Sequence, residues 1–190
     1  MRLFVAVEIS DEMRRVAART AETIRRTLGQ GIEARWVDPQ KMHLTVRFIG
    51  HVGDDRVPGL LKILVEPVSI APFVISLGGC GVFPSSGGIR VVWIGLRTGL
   101  PSLIAMHDEY NQRLAPFGFE PETRPYSAHL TLARVHGRCA SGKRAVIKDV
   151  AVDASASEVH RATIFRSHMS SAGSWYEPLG HADLGDGTHG

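Results

Sequence analysis

Two four-residue stretches hold the side chains of this sequence best suited to chemistry: His43-Leu44-Thr45-Val46 and His129-Leu130-Thr131-Leu132. Both alternate polar and apolar residues, which is the strand period and not the helix period. Residues i and i+2 of a strand face the same way. His43 and Thr45 therefore share one face, and Leu44 and Val46 the other. The same holds for His129 and Thr131 against Leu130 and Leu132. Each copy presents an imidazole beside a hydroxyl, on a strand anchored from behind by aliphatic packing.

An imidazole with an ordinary pKa near ~6.5 gives or takes a proton at neutral pH. Two that face each other divide the labour of phosphoryl transfer to an attacking oxygen, one as base and one as acid. The hydroxyls of Thr45 and Thr131, with a nearby guanidinium, suit the non-bridging oxygens. Such a route calls on no metal or cofactor. Arg134 is the guanidinium of choice, but it lies five residues past His129. A regular strand points it away, so it reaches the cleft only if the strand ends or bulges near Ala133. Arg47, four past His43, is its counterpart in the first copy and falls on the His43 face. A lone histidine on a strand is more often structural than catalytic; the repetition in a like setting is what favours catalysis. The other histidines carry less. His51, His136 and His168 read as surface or loop residues, His107 as a core polar group on a helix, and His181 and His189 as tail. No H-E-x-x-H, Walker A loop or dinucleotide glycine fingerprint is present.

The elements that must position these residues follow from pattern. Leu3 to Ile9 reads as a buried strand. Ser10 caps a helix running to about Leu28, with Met13, Val16, Ala17, Thr20, Ala21, Ile24 and Leu28 inward, its arginines on a solvated face, and Gly29 and Gly31 at its end. Arg35-Trp36-Val37 reads as a short strand, Asp38-Pro39 as a turn, and Met42 to Ile49 as the first motif strand. Asp54-Asp55 are expected to cap a second helix with Leu60, Leu61 and Leu64 inward. Phe73 to Phe83 and Ile89 to Leu96 form a hairpin around Pro84-Ser85-Ser86-Gly87-Gly88. Pro101 opens a third helix with Leu103, Ile104, His107, Tyr110 and Leu114 on one face. Glu120 to Ser127 is an extended approach to the second motif strand, Ala128 to Val135. Ser141 to Asp149 reads as a short helix, and Ala156 to Phe165 with Ser174 to Leu179 as a closing strand pair. The glycines at 78, 79, 81, 87 and 88 fit hairpin geometry. Trp36, Trp93 and Trp175 are expected in the core, and Phe4, Phe48, Phe83 and Tyr126 include candidates for base stacking.

The two motifs lie about half the chain apart, so the order strand, helix, motif strand, helix nearly repeats. This implies two similar α+β lobes about a pseudo-twofold axis, with the histidines facing across a cleft. Residues 1–180 are expected to form one bilobal domain, and 181–190 a loose tail. The 190 residues, 44% hydrophobic and 22% charged, supply enough apolar material for a core. A net charge of +3 fits an anionic ligand such as RNA without requiring one. Cys80 and Cys139 form no C-x-x-C pair, so neither a disulfide framework nor a zinc–thiolate site is expected, and a reducing cytoplasm is the expected compartment. No leader peptide or membrane span is expected, nor an obligate partner; a monomer is.

The flanks of both motifs extend the pattern. Met1-Arg2-Leu3-Phe4-Val5-Ala6-Val7, Arg35-Trp36-Val37, His43 to Gly50, Gly81-Val82-Phe83-Pro84-Ser85, Phe117-Gly118-Phe119-Glu120, Arg124-Pro125-Tyr126, His129 to Val135 and Ile164-Phe165-Arg166-Ser167 together resemble the 2H phosphoesterase superfamily. Within it they resemble the bacterial and archaeal RNA 2′,3′-cyclic phosphodiesterases, also called 2′-5′ RNA ligases. The resemblance implies a bilobal α+β fold whose antiparallel sheets line a V-shaped cleft with helices outside. It implies opening of a terminal RNA 2′,3′-cyclic phosphate to a 2′-phosphomonoester, with 2′-5′ ligation as the reverse. It assigns His43 as proton donor, His129 as proton acceptor, and Thr45, Thr131 and Arg134 as phosphate holders. Arg47 stands where lysine is frequent, and Tyr126-Ser127-Ala128 varies the usual lead-in; these departures bear on substrate preference. The alternatives are a phosphodiesterase acting on small cyclic nucleotides or 2′-5′ oligonucleotides, and a non-catalytic RNA-binding module, whose mark would be a lost motif histidine or threonine.

Overall fold

The computed structural model describes residues 1–29, 33–122, 124–136, 142–170 and 173–185. Gly31, Cys139, Ser141 and His189 lie outside the described residues. The strands are β1 (Arg2–Glu8), β2 (Ala34–Trp36), β3 (His43–His51), β4 (Phe73–Phe83), β5 (Val91–Thr98), β6 (Leu130–Val135), β7 (Ala156–Val159), β8 (Arg161–Ser170) and β9 (Gly173–Asp183). The helices are α1 (Asp11–Leu28), α2 (Val57–Leu64), α3 (Leu100–Leu114) and α4 (Lys143–Lys148). Among the described residues the strands form one curled sheet in the order β7-β4-β5-β6-β3-β1-β8-β9, with β2 beside β6. All its named strand pairs are antiparallel.

The two lobes meet where the motif strands meet. β3 and β6 share a single register pair, Leu44 with Leu130, both fully buried. Burying a leucine stabilises by about 1.5–3 kcal/mol, so the residue following each histidine is its anchor. On either side of this pair the sheet curls away, and the V-shaped cleft opens between the lobes.

The helices cover the sheet from behind in an exchanged way. α1 starts at Ser10, whose hydroxyl accepts from the Met13 amide, and stops at Gly29, whose φ of 69° suits glycine alone. Its buried stripe of Met13, Val16, Ala17, Thr20, Ile24 and Leu28 follows β1 in sequence yet lies against β6, β7 and α4. α3 follows β5 but lies on β3 and α2. Each half of the chain thus lends its helix to the other lobe.

Several expectations are corrected. The stretch read as one strand, Ala156 to Phe165, is two: β7 pairs with β4 at one edge of the sheet, and β8 pairs with β1 near the other. The break falls at His160, where the chain crosses between lobes. β9 runs to Asp183, so His181, assigned to the tail, is in the sheet, with Nδ1 3.0 Å from the Thr163 hydroxyl; Ala182 and Leu184 are buried. Asp54 and Asp55 do not cap α2; Asp54 lies 3.4 Å from the Met1 amine. On α3 the inward residue is Met106, while Ile104 is exposed. Trp175 is 47% exposed, its ring stacked on His168 at 3.7 Å instead of joining the core. Among the described residues, no helix is long and apolar enough to cross a membrane.

Candidate active site

Both motif histidines are held in the same way. His43 opens β3, and its Nδ1 lies 2.9 Å from the Lys41 carbonyl. His129 immediately precedes β6, and its Nδ1 lies 2.8 Å from the Ser127 carbonyl. A carbonyl only accepts, so Nδ1 donates in each case and Nε2 is left for proton transfer. Neither bond involves a side chain other than the imidazole. A histidine whose chain passes two residues upstream in extended form orients its own ring.

Aromatic rings fix the planes. Phe4 stacks on His43 with centroids 5.0 Å apart, and Tyr176 meets it edge-on at 5.0 Å. Phe83 meets His129 edge-on at 5.0 Å, with Trp93 behind at 6.3 Å. Trp93 crosses Gly81 so closely that a Cβ there would collide with the indole. Gly81 therefore serves the packing under His129, a closer reason than hairpin geometry.

β-Bulges decide which other side chains reach the cleft. In β3, Ala6 pairs with Thr45 but Val5 pairs with Arg47, leaving Val46 extra. In β6, Trp93 pairs with Thr131 but Val92 pairs with Ala133, leaving Leu132 extra. The bulges occupy the same place in both motifs. Each buries two consecutive residues, Val46 with Arg47 and Leu132 with Ala133, and then reverses the alternation. Arg134 is thereby turned to the cleft. Phe48, not Arg47, is its structural counterpart. Arg47 is 5% exposed, and its guanidinium donates to the Phe48 carbonyl at 2.7 Å, the Glu120 carbonyl at 2.6 Å and Glu122 at 3.2 Å. It braces the 120–127 segment instead of facing the cleft.

That segment is tied to the first motif a second time. The Tyr126 hydroxyl donates to the Thr45 carbonyl at 2.9 Å, and its ring stacks on the buried His107 at 4.7 Å. Tyr126 thus joins the approach to His129 to the strand carrying His43. No pattern of residue types signals this contact, because it depends on β3 and β6 parting just past Leu44 and Leu130.

His43, Thr45, His129, Thr131 and Arg134 line one cavity of about 650 Å3. Lys41, Arg90 and Arg124 also line it, against one carboxylate among the described residues, Glu122, which Arg47 engages. The site is cationic and suited to an anion. Burial pushes the His43 pKa down, with Arg134 and His129 adding to the effect against the Lys41 carbonyl and Glu8, which raise it. Burial and then Arg134 push the His129 pKa down, against the Ser127 carbonyl. His43 alone of the two has a carboxylate acting on it. Among the described residues no cluster of three metal-ligating side chains occurs.

A curled sheet bringing two His-x-Thr strands to one cationic cleft is the arrangement of a two-histidine phosphoesterase. The sequence matches the LigT-like phosphoesterase family over residues 7–93 and 95–176, and the chain belongs to that family. A protein of Methanothermobacter thermautotrophicus named RNA 2′,3′-cyclic phosphodiesterase is 30% identical over 183 residues, 94% of this chain and 96% of the relative. One of the same name from Archaeoglobus fulgidus is 35% identical over 135 residues, 71% of this chain and 73% of its own. The fold is shared with TT0787 of Thermus thermophilus, at TM-score 0.77 and 23% identity over 97% of this chain and 98% of that one. It is also shared with E. coli LigT, solved with 3′-AMP, at TM-score 0.72 and 23% identity over 96% and 97%.

Proposed function

We propose that this phosphoesterase opens terminal RNA 2′,3′-cyclic phosphates to 2′-phosphomonoesters. The observation that carries the reading is the matched pair of imidazoles, each with Nδ1 committed to a backbone carbonyl and Nε2 left to move a proton, in one cationic cleft. Water attacks phosphorus and passes its proton to His129 Nε2. The bond from phosphorus to O3′ breaks, and His43 Nε2 protonates that oxygen, leaving a free 3′-hydroxyl and a 2′-phosphate. Arg134 with the Thr45 and Thr131 hydroxyls holds the non-bridging oxygens as charge develops. His43 is taken as the acid from the family resemblance; the Glu8 carboxylate favours its protonated form, against burial and Arg134, which oppose it. The bound phosphate offsets the positive charge of Arg134, raising both imidazoles toward the range where they exchange protons. The names of the relatives support the substrate. With an RNA 5′-hydroxyl in place of water the same attack makes a 2′-5′ linkage, O3′ again leaving with a proton, a minor route wherever water has access.

A second reading, a small cyclic nucleotide as substrate, is favoured by cavity size, since about 650 Å3 lies within the range that accommodates a small molecule. The test incubates a short RNA ending in a 2′,3′-cyclic phosphate with the protein in excess EDTA and identifies the product. A 2′-phosphate supports the proposal. A 3′-phosphate reverses the assigned cleavage. Turnover of cyclic mononucleotide alone moves the substrate to the second reading.

A further inference from the structure

Because both motif strands bulge at the same place, the residues five past each histidine are matched, and they are chemically unlike. Where the second lobe sends Arg134 toward the cleft, the first sends Phe48, 41% exposed. In the proposed mechanism Arg134 holds phosphate from one side, and the other side offers a flat apolar ring. That ring continues outward. The Arg2 guanidinium lies over Phe48 at 5.4 Å, and Arg2 Nη1 lies 2.8 Å from the Met169 sulfur. Met169 is 69% exposed, the most exposed of the large hydrophobic side chains among the described residues. Arg2 sits opposite Ser167 in the β1–β8 register, and Ser167 sits opposite Tyr176, itself part of the cavity wall. Ring, guanidinium and thioether form a strip that leaves the cavity along the first lobe. No acidic side chain forms an ion pair with Arg2 among the described residues.

We propose that this strip, Phe48–Arg2–Met169, is a second-nucleotide subsite that takes the base and phosphate 5′ to the reacting ribose of a single-stranded RNA. The inference rests on the proposed function. It adds that the strand leaves the cavity over the first lobe. Bases of single-stranded RNA stack on aromatic rings and guanidinium planes without regard to identity. A thioether is a polarisable neighbour for an aromatic edge. The guanidinium offers a charge to the bridging phosphate as well as a plane to the base.

The test compares kcat/KM for a dinucleotide ending in a 2′,3′-cyclic phosphate with that for a cyclic mononucleotide. Wild type prefers the dinucleotide by about five-fold or more, the scale of one stacked base. Met169→Glu, at a position open enough to accept a carboxylate, lowers that preference toward one, and Arg2→Gln does the same through loss of both plane and charge. The mononucleotide rate in the same variants reports whether the cleft is still folded. Equal efficiency on both substrates in wild type overturns the subsite and leaves the hydrolytic reading standing. A preference that survives both variants overturns it too, and a fall in Arg124→Gln would then send the strand past Arg124 instead. No hydrolysis of either substrate by wild type overturns the parent reading, and the subsite with it.

Discussion

Replacing Arg47 with methionine distinguishes the two places its charge could act. By strand alternation it faces the phosphate; by the bulge it is a buried brace. Methionine keeps much of the stem and donates nothing. The carbonyls of Phe48 and Glu120 then lose donors at 2.7 and 2.6 Å, at about 1–3 kcal/mol for each acceptor left unpaired. The Glu122 contact adds little, because that carboxylate is 45% exposed and screened by water. Removing a desolvated cation offsets part of the loss. The net destabilisation is about 2–4 kcal/mol, a fall in Tm on the order of 10 °C for a chain of this size. Arg134→Met is the mirror case. It is exposed and without an ion-pair partner among the described residues, so Tm stays near wild type while kcat/KM falls about 100-fold or more, as for one lost charge-stabilising donor. Thermal melts and cyclic mononucleotide kinetics on both variants decide the matter. If Arg47→Met melts like wild type and loses activity, Arg47 faces the substrate and the bulge argument fails.

Other perturbations probe the rest of the site. His43→Ala and His129→Ala each abolish turnover while far-UV circular dichroism stays native; near-normal rates in either remove that histidine from the mechanism. Both imidazoles titrate below the ordinary 6.5, so the unfolded chain binds their protons first. Stability is therefore full above 6.5 and falls as pH drops through the window below it. The alkaline limb of kcat/KM likewise begins below 6.5, and a rate still climbing through neutral pH contradicts a protonated imidazole as acid. Tyr126→Phe keeps the stack on His107 but leaves the Thr45 carbonyl without its donor, lowering stability by about 1–2 kcal/mol and kcat more than KM; an unchanged melt removes the tie between the motifs. Gly81→Ala drives a methyl into the Trp93 ring, at about 1–3 kcal/mol of overpacking, with a shift in tryptophan fluorescence and a loss of rate. Wild-type behaviour there means that the indole sits elsewhere.

The motif side chains were legible because strand alternation is local and both copies obey it as far as Thr45 and Thr131. The residues past the threonines were not, because a bulge is fixed by cross-strand register. Nothing in Val46-Arg47 or Leu132-Ala133 announces an extra residue, so alternation run through the bulge misplaced Arg47. Arg134 could be stated only as conditional on a bulge, and the condition is met. The same limit explains 156–165: its pattern is continuous, and only the pairing of β7 with β4 and β8 with β1 shows where the chain changes lobes. Trp175 was assigned to the core by residue type, but near the end of a hairpin it stacks on His168 and stays 47% exposed. The Lys41 and Ser127 carbonyls and the Tyr126 hydroxyl act through the path of the backbone, which residue types do not disclose.

The exchanged helices bear on how the groove can behave. Because α1 is tethered to β1 in one lobe and seated on β6 and β7 in the other, spreading the walls means peeling Met13, Val16, Ile24 and Leu28 from their contacts. At about 1.5–3 kcal/mol for each large apolar side chain exposed, thermal motion does not reach such a state often enough to matter. The width between His43 and His129 is set by covalent crossover, much as a dovetail joint sets the spacing of two boards. What the cleft itself admits therefore rests on which ligands fit a gap that is already cut to size.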